Sequence, residues 1–229
     1  CRACESACPS GVPYGRMVEA ARAQIVAAVP ATRGQRLARR WIYERLLPSP
    51  LLLTAAGALL WLYQASGLQR LVRASALLKL LDWPRGRLRM LEQLLPEAEA
   101  PFFFGKIGKT FPAEGVRRYR VALLAGCVAG VAFARLNEAT VRVLRKNGCE
   151  VTVPDGQTCC GALHAHAGLL ETAWKLARRN IDAFLKEDWD AIVSNTAGCG
   201  AALKEYHELL AGDAEYAERL RELDSPRYD

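Results

Sequence analysis

Between Cys8 and Cys127 the sequence contains no cysteine, although its 229 residues include eight. A disulfide framework spreads its bridges along the chain, so so long a gap argues against one. The sequence as read shows no secretory signal, so metal or redox use of the thiols is the expectation. The chain opens on Cys1 without a methionine and stops at SPRYD, and the expectation is an internal piece of a longer polypeptide. No charge falls between Arg45 and Arg70. Yet the apolar run inside that gap, LLLTAAGALLWLY from Leu51 to Tyr63, is shorter than the about 20 residues a bilayer span requires. A buried or partner-facing helix is the first reading of this run. A helix lying on the membrane, its flanking arginines toward anionic lipid, is the second.

What the sequence does contain is a globular composition, 51% hydrophobic, with a formal net charge of +7. The positive surplus sits in RGQRLARRW, in Arg70 and Arg73, in RGRLR (85–89) and in RRYR (117–120), while the C-terminal stretch is acidic. A solvated helix face explains such runs first, and anionic lipid or an acidic partner next. Nucleic acid is not expected as a partner, because no exposed aromatics interleave with the basic residues and no recognition motif accompanies them.

Along the chain, residues 1–16 read as a cysteine-rich loop and residues 17 to about 100 as helices punctuated by prolines 30, 48, 50, 84 and 96. PFFFGKIGKTFPAEG (101–115) reads as a linker. The pattern then alternates. VALLAGC (121–127), CEVTVP (149–154) and AIVSN (191–195) suit buried strands. Phe133, Leu136, Thr140, Val143 and Leu144 recur at helical spacing up to a closing Gly148, and Leu169, Leu170, Ala173, Trp174, Ala177, Ile181, Phe184 and Leu185 mark a longer helix. A last helix is expected from Ala201 to Leu210. Strand and helix in alternation predict an α/β fold with a parallel, Rossmann-like sheet and right-handed crossovers.

That topology gives the later cysteines a meaning. Ligands of an open parallel sheet bind beyond the carboxyl ends of its strands. Cys127 is expected at the end of the first strand, Cys159 and Cys160 in the loop after the second, and Cys199 in the loop after the third. Four thiols from three loops are thus brought to one edge, and the adjacent pair in QTCCGALHAHAG supplies two soft ligands from one loop, which suits an iron–sulfur cluster. A structural zinc site, for which vicinal cysteines are poor geometry, a strained vicinal disulfide and four metal-free thiols are the alternatives. Cys149 is expected at the opposite edge as an ordinary core residue. Gly161, His164 and His166 are candidates for a supporting role beside the cluster, with packing at a helix start as the plain reading of the histidines; His207 is expected at the surface. At the N-terminus, CRACESACP reads as the end of a bacterial ferredoxin run, in which Cys1 and Cys4 would hold one cubane and Cys8 the other.

Taken together, CESACPSGVPYGR, LLAGCVAG, NGCEVTVPDGQTCCGALHAHAG, ARRNIDAF and SNTAGCGAALKEY resemble the iron–sulfur subunit of glycolate oxidase. More broadly they are similar to the cysteine-rich CCG domains of heterodisulfide reductase and of the anaerobic glycerol-3-phosphate and lactate-utilisation systems. The resemblance implies the end of a ferredoxin motif over 1–16, a helical region and linker over 17–118, a CCG domain over 119–212 and an acidic tail over 213–229 leading to a second CCG domain. It implies electron transfer: a flavin-containing subunit oxidises the 2-hydroxyacid, and electrons leave through 4Fe–4S clusters toward quinone, in the cytoplasm at the inner face of the membrane. This chain would then be a relay without a substrate-oxidising site of its own. The fullest CCG pattern ends in CxxC, whereas here Thr196-Ala-Gly-Cys199 lacks one thiol. A single 4Fe–4S cluster on Cys127, Cys159, Cys160 and Cys199 is what carries over. The rival from the enzyme class is a heterodisulfide reductase-like catalytic cluster.

Overall fold

The computed structural model describes residues 5, 7–75 and 87–223. Cys1, Cys4 and the last residues of the acidic tail therefore lie outside the described residues. Four strands form the sheet: β1 (Lys109–Phe111), β2 (Tyr119–Leu124), β3 (Cys149–Val153) and β4 (Ala191–Ser194), in the order β1-β3-β2-β4. β2 runs parallel to both neighbours, with Val121 opposite Val151 on one side and Ala191 on the other. The three expected strands are these three.

Alternation along β2 divides the interior. Successive strand residues point to opposite faces. Val121 and Leu123 pack with Val151, Val153 and Val141, the last from α7 (Ala134–Lys146). Ala122 and Leu124 pack on the other face with Ala177, Ile181 and Phe184 of α9 (Leu170–Phe184). Helices on both faces bury the sheet, which is why β2 is apolar without interruption from Val121 to Leu124. α7 ends where expected, with Gly148 at φ 81° just beyond it.

Two segments differ from the sequence reading. Residues 101–115 do not form a bare linker: Phe103 is buried in the core, and β1 pairs antiparallel with β3, with Thr110 Oγ1 2.9 Å from Thr152 Oγ1. A three-residue edge strand is too short to show a period of two. At the other end, the stretch read as an acidic tail includes α12 (Ala214–Leu223), whose Leu220 enters the α9-side core. Tyr216 Oη and Arg219 Nη1 reach Asp182 of α9 at 3.2 and 2.5 Å.

The N-terminal half is helical, as read: α1 (Tyr14–Ala28), α2 (Arg33–Arg39), a π-helical turn (Arg40–Leu46), α3 (Pro50–Ala65), α4 (Leu68–Ala74) and α5 (Arg87–Gln93), while the short α6 (Ala129–Ala132) follows β2. Thr32 and Gln35 exchange side-chain bonds to each other's backbone N–H as a capping box on α2. Ser49 caps α3, and Pro50 occupies its first turn. α3 reaches the sheet domain through Gly57, where a Cβ would meet Phe102 Cζ and Val131 Cγ1 at 3.0 Å. Leu53 and Gly57 are its buried residues, whereas Leu51, Leu59, Trp61 and Leu62 are exposed. Of the first expectation for this run, a buried or partner-facing helix, burial holds for one narrow stripe, Leu53 and Gly57, and the rest of the helix is half-buried or exposed. Among the described residues no single helix is long and apolar enough to cross a membrane; Arg33–Leu46 and Pro50–Ala65, bent by 106°, meet the criterion only as a pair.

Candidate metal centre

Beyond the carboxyl ends of β2, β3 and β4 the four thiols meet. Cys127 lies in the turn after β2, three residues past the strand end. Cys159 and Cys160 lie in the loop after β3. Cys199 is not in a loop: it sits in the first turn of α10 (Ala197–Lys204), its N–H bonded to Thr196 O at 2.9 Å. Gly198 and Gly200 on either side of Cys199 are poor helix formers, which concealed that turn. All four side chains are buried, and they stand in two contacting pairs, Cys127–Cys159 at 3.4 Å and Cys160–Cys199 at 3.2 Å.

Mutual hydrogen bonding splits their acidities. Cys159 is pushed far up because its thiol bonds to both Cys127 and Cys160, with burial adding to the effect. Cys160 is pushed down by the bonds its thiolate accepts from Cys159 and Cys199, helped by the Ala162 N–H and the nearby His164. Cys127 falls through its bond with Cys159, and Cys199 rises through its bond with Cys160. Within the second pair this favours a thiolate on Cys160 beside a thiol on Cys199. Thiolates are the metal-binding form of cysteine.

A frame of amides holds the vicinal pair, and sequence reasoning assigned these residues no role. Gln157 accepts from Ala125 N–H at 2.7 Å and donates to Leu123 O and Pro154 O, tying the cysteine loop to the end of β2. Asn180 on α9 accepts from Thr158 N–H at 2.8 Å and donates to Cys159 O at 3.0 Å. Tyr206, from α11 (Tyr206–Leu209), donates to Cys160 O at 2.8 Å. Asn137 on α7 donates to Ala125 O and accepts from Asn195 beyond β4. One signal was legible: Asn180 and Asn137 are amides on the apolar faces of amphipathic helices, and a buried polar side chain needs a partner.

The supporting candidates separate. Gly161, at φ 84°, turns the chain from Cys160 into α8 (Ala162–His166), a conformation that costs a side-chain-bearing residue about 1–2 kcal/mol. His164 is wholly buried, with Nε2 2.7 Å from Tyr43 O of the π-helical turn. His166 is exposed and pairs with Glu19 of α1 at 2.6 Å. Thr158 also grips the helical half, donating to Pro48 O at 2.7 Å. Leu47 and Leu53 complete an apolar seal over Cys127 and Cys159. Cys8 is half-buried in the N-terminal segment, with its acidity increased by backbone N–H groups of the following loop. Cys149 is buried among Val121, Val151 and Val153 at the amino end of β3, away from the quartet, as expected.

On the far side of Cys160 a cavity of about 470 Å³ opens, walled by Gly161, Ala162, Ala165, Ala197 and Ala201 and rimmed by Arg16 and Glu208, which form an ion pair. Among the described residues no three His, Cys, Asp or Glu side chains already surround a common point as ligands of a metal ion. The donor set fits an iron–sulfur group in chemistry: four soft, buried sulfurs with no carboxylate among them.

Residues 121–204 match the model of the cysteine-rich domain, CCG. This part of the chain is similar to cysteine-rich CCG domains. Residues 34–95 match the linker region of the glycolate oxidase iron–sulfur subunit, so the helical half that covers the CCG cysteines has a counterpart there too. The chain is 40% identical over 219 residues to a probable glycolate oxidase iron–sulfur subunit of Bacillus subtilis, covering 96% of this chain and 49% of that one. It is 30% identical over 227 residues to the glycolate oxidase iron–sulfur subunit of Escherichia coli, 97% and 49% covered. A lactate utilization protein A of Shouchella clausii is 37% identical over 109 residues, 48% of this chain and 45% of the relative. The chain thus spans about half the length of the curated relatives it matches. No solved structure matches it.

Proposed function

We propose that this chain is the electron-relay part of a glycolate oxidase-type 2-hydroxyacid dehydrogenase complex, with Cys127, Cys159, Cys160 and Cys199 holding one 4Fe–4S cluster. The observation that carries this reading is the quartet itself: three separate chain segments deliver four buried thiols to the carboxyl edge of the sheet. Such a cluster supplies one-electron chemistry when bound. The protein's own part is to hold the sulfurs, exclude water through Leu47 and Leu53, and direct backbone N–H groups at them.

Cys1, Cys4 and Cys8 belong, in this reading, to two further cubanes of a ferredoxin-type motif over 1–16. The domain division of 17–118, 119–212 and 213–229 completes the proposal, with the second CCG domain beyond the tail. The partner is a flavin-containing subunit that oxidises the 2-hydroxyacid, glycolate first and lactate or glycerol 3-phosphate next. Quinone is the onward acceptor, at the cytoplasmic face of the membrane, reached through partner subunits.

Reconstitution with iron and sulfide without oxygen tests the reading. With Cys1, Cys4 and Cys8 changed to Ser, about four irons per chain and a reversible paramagnetic signal are expected, both lost in Cys159→Ser. Zinc alone, or no metal, would overturn it. The cavity beside Cys160 favours one second reading, a cluster that acts on a thiol–disulfide substrate as in heterodisulfide reductase. Turnover of such a substrate by the complete protein would distinguish it from a relay.

A further inference from the structure

The two faces of the sheet are covered unequally. On one side, residues of α9, α10, α11 and α12 join the group around Ala122 and Leu124, and Ile192 of β4 packs against it. On the other, α7 is the one α-helix among the described residues that contributes to the group around Val121 and Leu123, through Ala134, Val141 and Leu144. Ala191 and Val193 of β4 turn to that side and are only half-buried. Parallel strands are ordinarily covered on both faces. Over β4 the α7 layer stays open.

β4 is also an edge strand: among the described residues it pairs with β2 and with no other strand. Natural edges are blunted by charge, proline or a bulge. Ala191–Ser194 carries neither charge nor proline. Beside it, α7 shows a second apolar stripe to solvent. Phe133, Leu136 and Val143 are 52%, 50% and 59% exposed, at the spacing of one helix face. Thr140, between Leu136 and Val143 on that face, donates to Asn195 Oδ1 at 2.9 Å, just beyond β4. The stripe therefore borders the uncovered face of β4.

The sequence marks this stripe as a packing face. Phe133, Leu136, Thr140, Val143 and Leu144 recur as regularly as the buried residues of α9, yet of that set only Leu144 packs into the core. Single exposed apolar residues are ordinary, but an aligned set beside an unguarded edge marks an interaction surface. A helix laid over β4 alongside α7 would bury both. As for its source, the match covers 49% of each glycolate oxidase relative, so as much chain again lies outside it. A tethered segment meets the surface at high effective concentration, whereas a separate partner bears the full entropy of association.

We infer that the α7 stripe and the open face of β4 dock a helix of the second cysteine-rich domain of the longer polypeptide; the inference rests on the domain division proposed above. The apolar face of that helix meets Phe133, Leu136, Val143, Ala191 and Val193. The surface runs up to Asn195, which donates to Asn137, and Asn137 in turn donates to Ala125 O, two residues before Cys127. Docking thus sets the second domain within one hydrogen-bond chain of the segment that carries Cys127.

The test places a photoreactive phenylalanine analogue at Leu136, and separately at Val143, in the full-length protein purified without oxygen. Both positions are exposed, and the second probe serves if the first disturbs folding. Illumination and peptide mass spectrometry should give cross-links from each position to residues beyond 229 of the same chain. Mixing light- and heavy-isotope protein tells one chain from two. Leu136→Asp combined with Val143→Asp should enlarge the radius of gyration in small-angle scattering, with bound iron unchanged. Cross-links confined to residues 1–229, cross-links to a second copy or to another protein, or none at all overturn this inference and leave the cluster reading, judged by iron content, standing. A full-length sequence without a second cysteine-rich stretch overturns both this inference and the domain division.

Discussion

Tyr206 donates its hydroxyl to the carbonyl of Cys160 at 2.8 Å while accepting from Asn180 Nδ2 at 3.0 Å. Asn180 in turn donates to the carbonyl of Cys159. Two side chains from different helices thus take up the carbonyls of both vicinal cysteines, in a region with no ladder to do so. Full burial pushes the Tyr206 hydroxyl well above its ordinary acidity range, so it remains a donor at any working pH. Removing Asn180 leaves Thr158 N–H, Cys159 O and Tyr206 Oη short of partners. Asn180→Leu should lower stability by about 2–4 kcal/mol and Tyr206→Phe by about 1–2 kcal/mol, from the cost of buried unsatisfied groups. Urea denaturation of the metal-free protein measures this, and wild-type midpoints in both variants would show that the frame is dispensable.

The same fold places a fifth buried cysteine where it can do nothing for the quartet. Cys149→Ala should leave bound iron unchanged and cost about 1 kcal/mol for a small cavity. Cys160→Ala should abolish most iron binding at the site. Iron determination on the two variants, each with Cys1, Cys4 and Cys8 replaced by Ser, separates them; equal loss in both would refute the assignment of Cys149 to the core.

Gly57 sets how closely α3 approaches the sheet domain. A Cβ there would lie 3.0 Å from both Phe102 and Val131, closer than ordinary van der Waals contact. Gly57→Val should destabilise by about 1–3 kcal/mol through overpacking. It should also lift Leu53 from the seal over Cys127 and Cys159, so that thiol-modifying reagents reach these cysteines faster in the metal-free protein. Unchanged modification rates would mean that α3 does not guard the site.

The two sides of α3 should behave oppositely. Leu53→Ala, at a buried position, should cost about 2–5 kcal/mol. Leu59→Gln and Leu62→Gln, at exposed positions, should change stability by no more than about 0.5 kcal/mol. If the exposed stripe meets anionic lipid, the latter two should weaken co-sedimentation with phosphatidylglycerol vesicles while folding stays intact. Vesicle binding that is absent in the wild type would remove lipid as its partner.

A substitution at Gly161 probes the turn that follows the vicinal pair. Gly161→Ala should lose about 1–2 kcal/mol, because φ 84° forces its Cβ against the backbone. The added Cβ would sit at ordinary contact distance from Ala173 O, 3.4 Å, so conformation and not crowding is the cause. Thermal denaturation at neutral pH reads the loss directly.

Strand and helix alternation after residue 119, and with it the gathering of Cys127, Cys159, Cys160 and Cys199 at one sheet edge, was legible in the sequence by itself. Apolar periodicity reports burial directly, and parallel topology leaves the carboxyl edge as the place where loops converge. Cys149 could be set apart for the same reason, since it opens a strand that the others follow. Only the tertiary structure decided which polar groups hold the site. Gln157, Asn180 and Tyr206 lie far apart along the chain, and their hydrogen bonds exist because α9 and α11 pack on one face of β2. It alone decided that α3 covers two of the thiols through a glycine contact, that residues 109–111 close the sheet as an antiparallel edge, and that His164 and His166, two positions apart, differ completely. Neighbours in a helix five residues long face different surroundings, and a sequence records residue order but not which side of a turn is shut off from water.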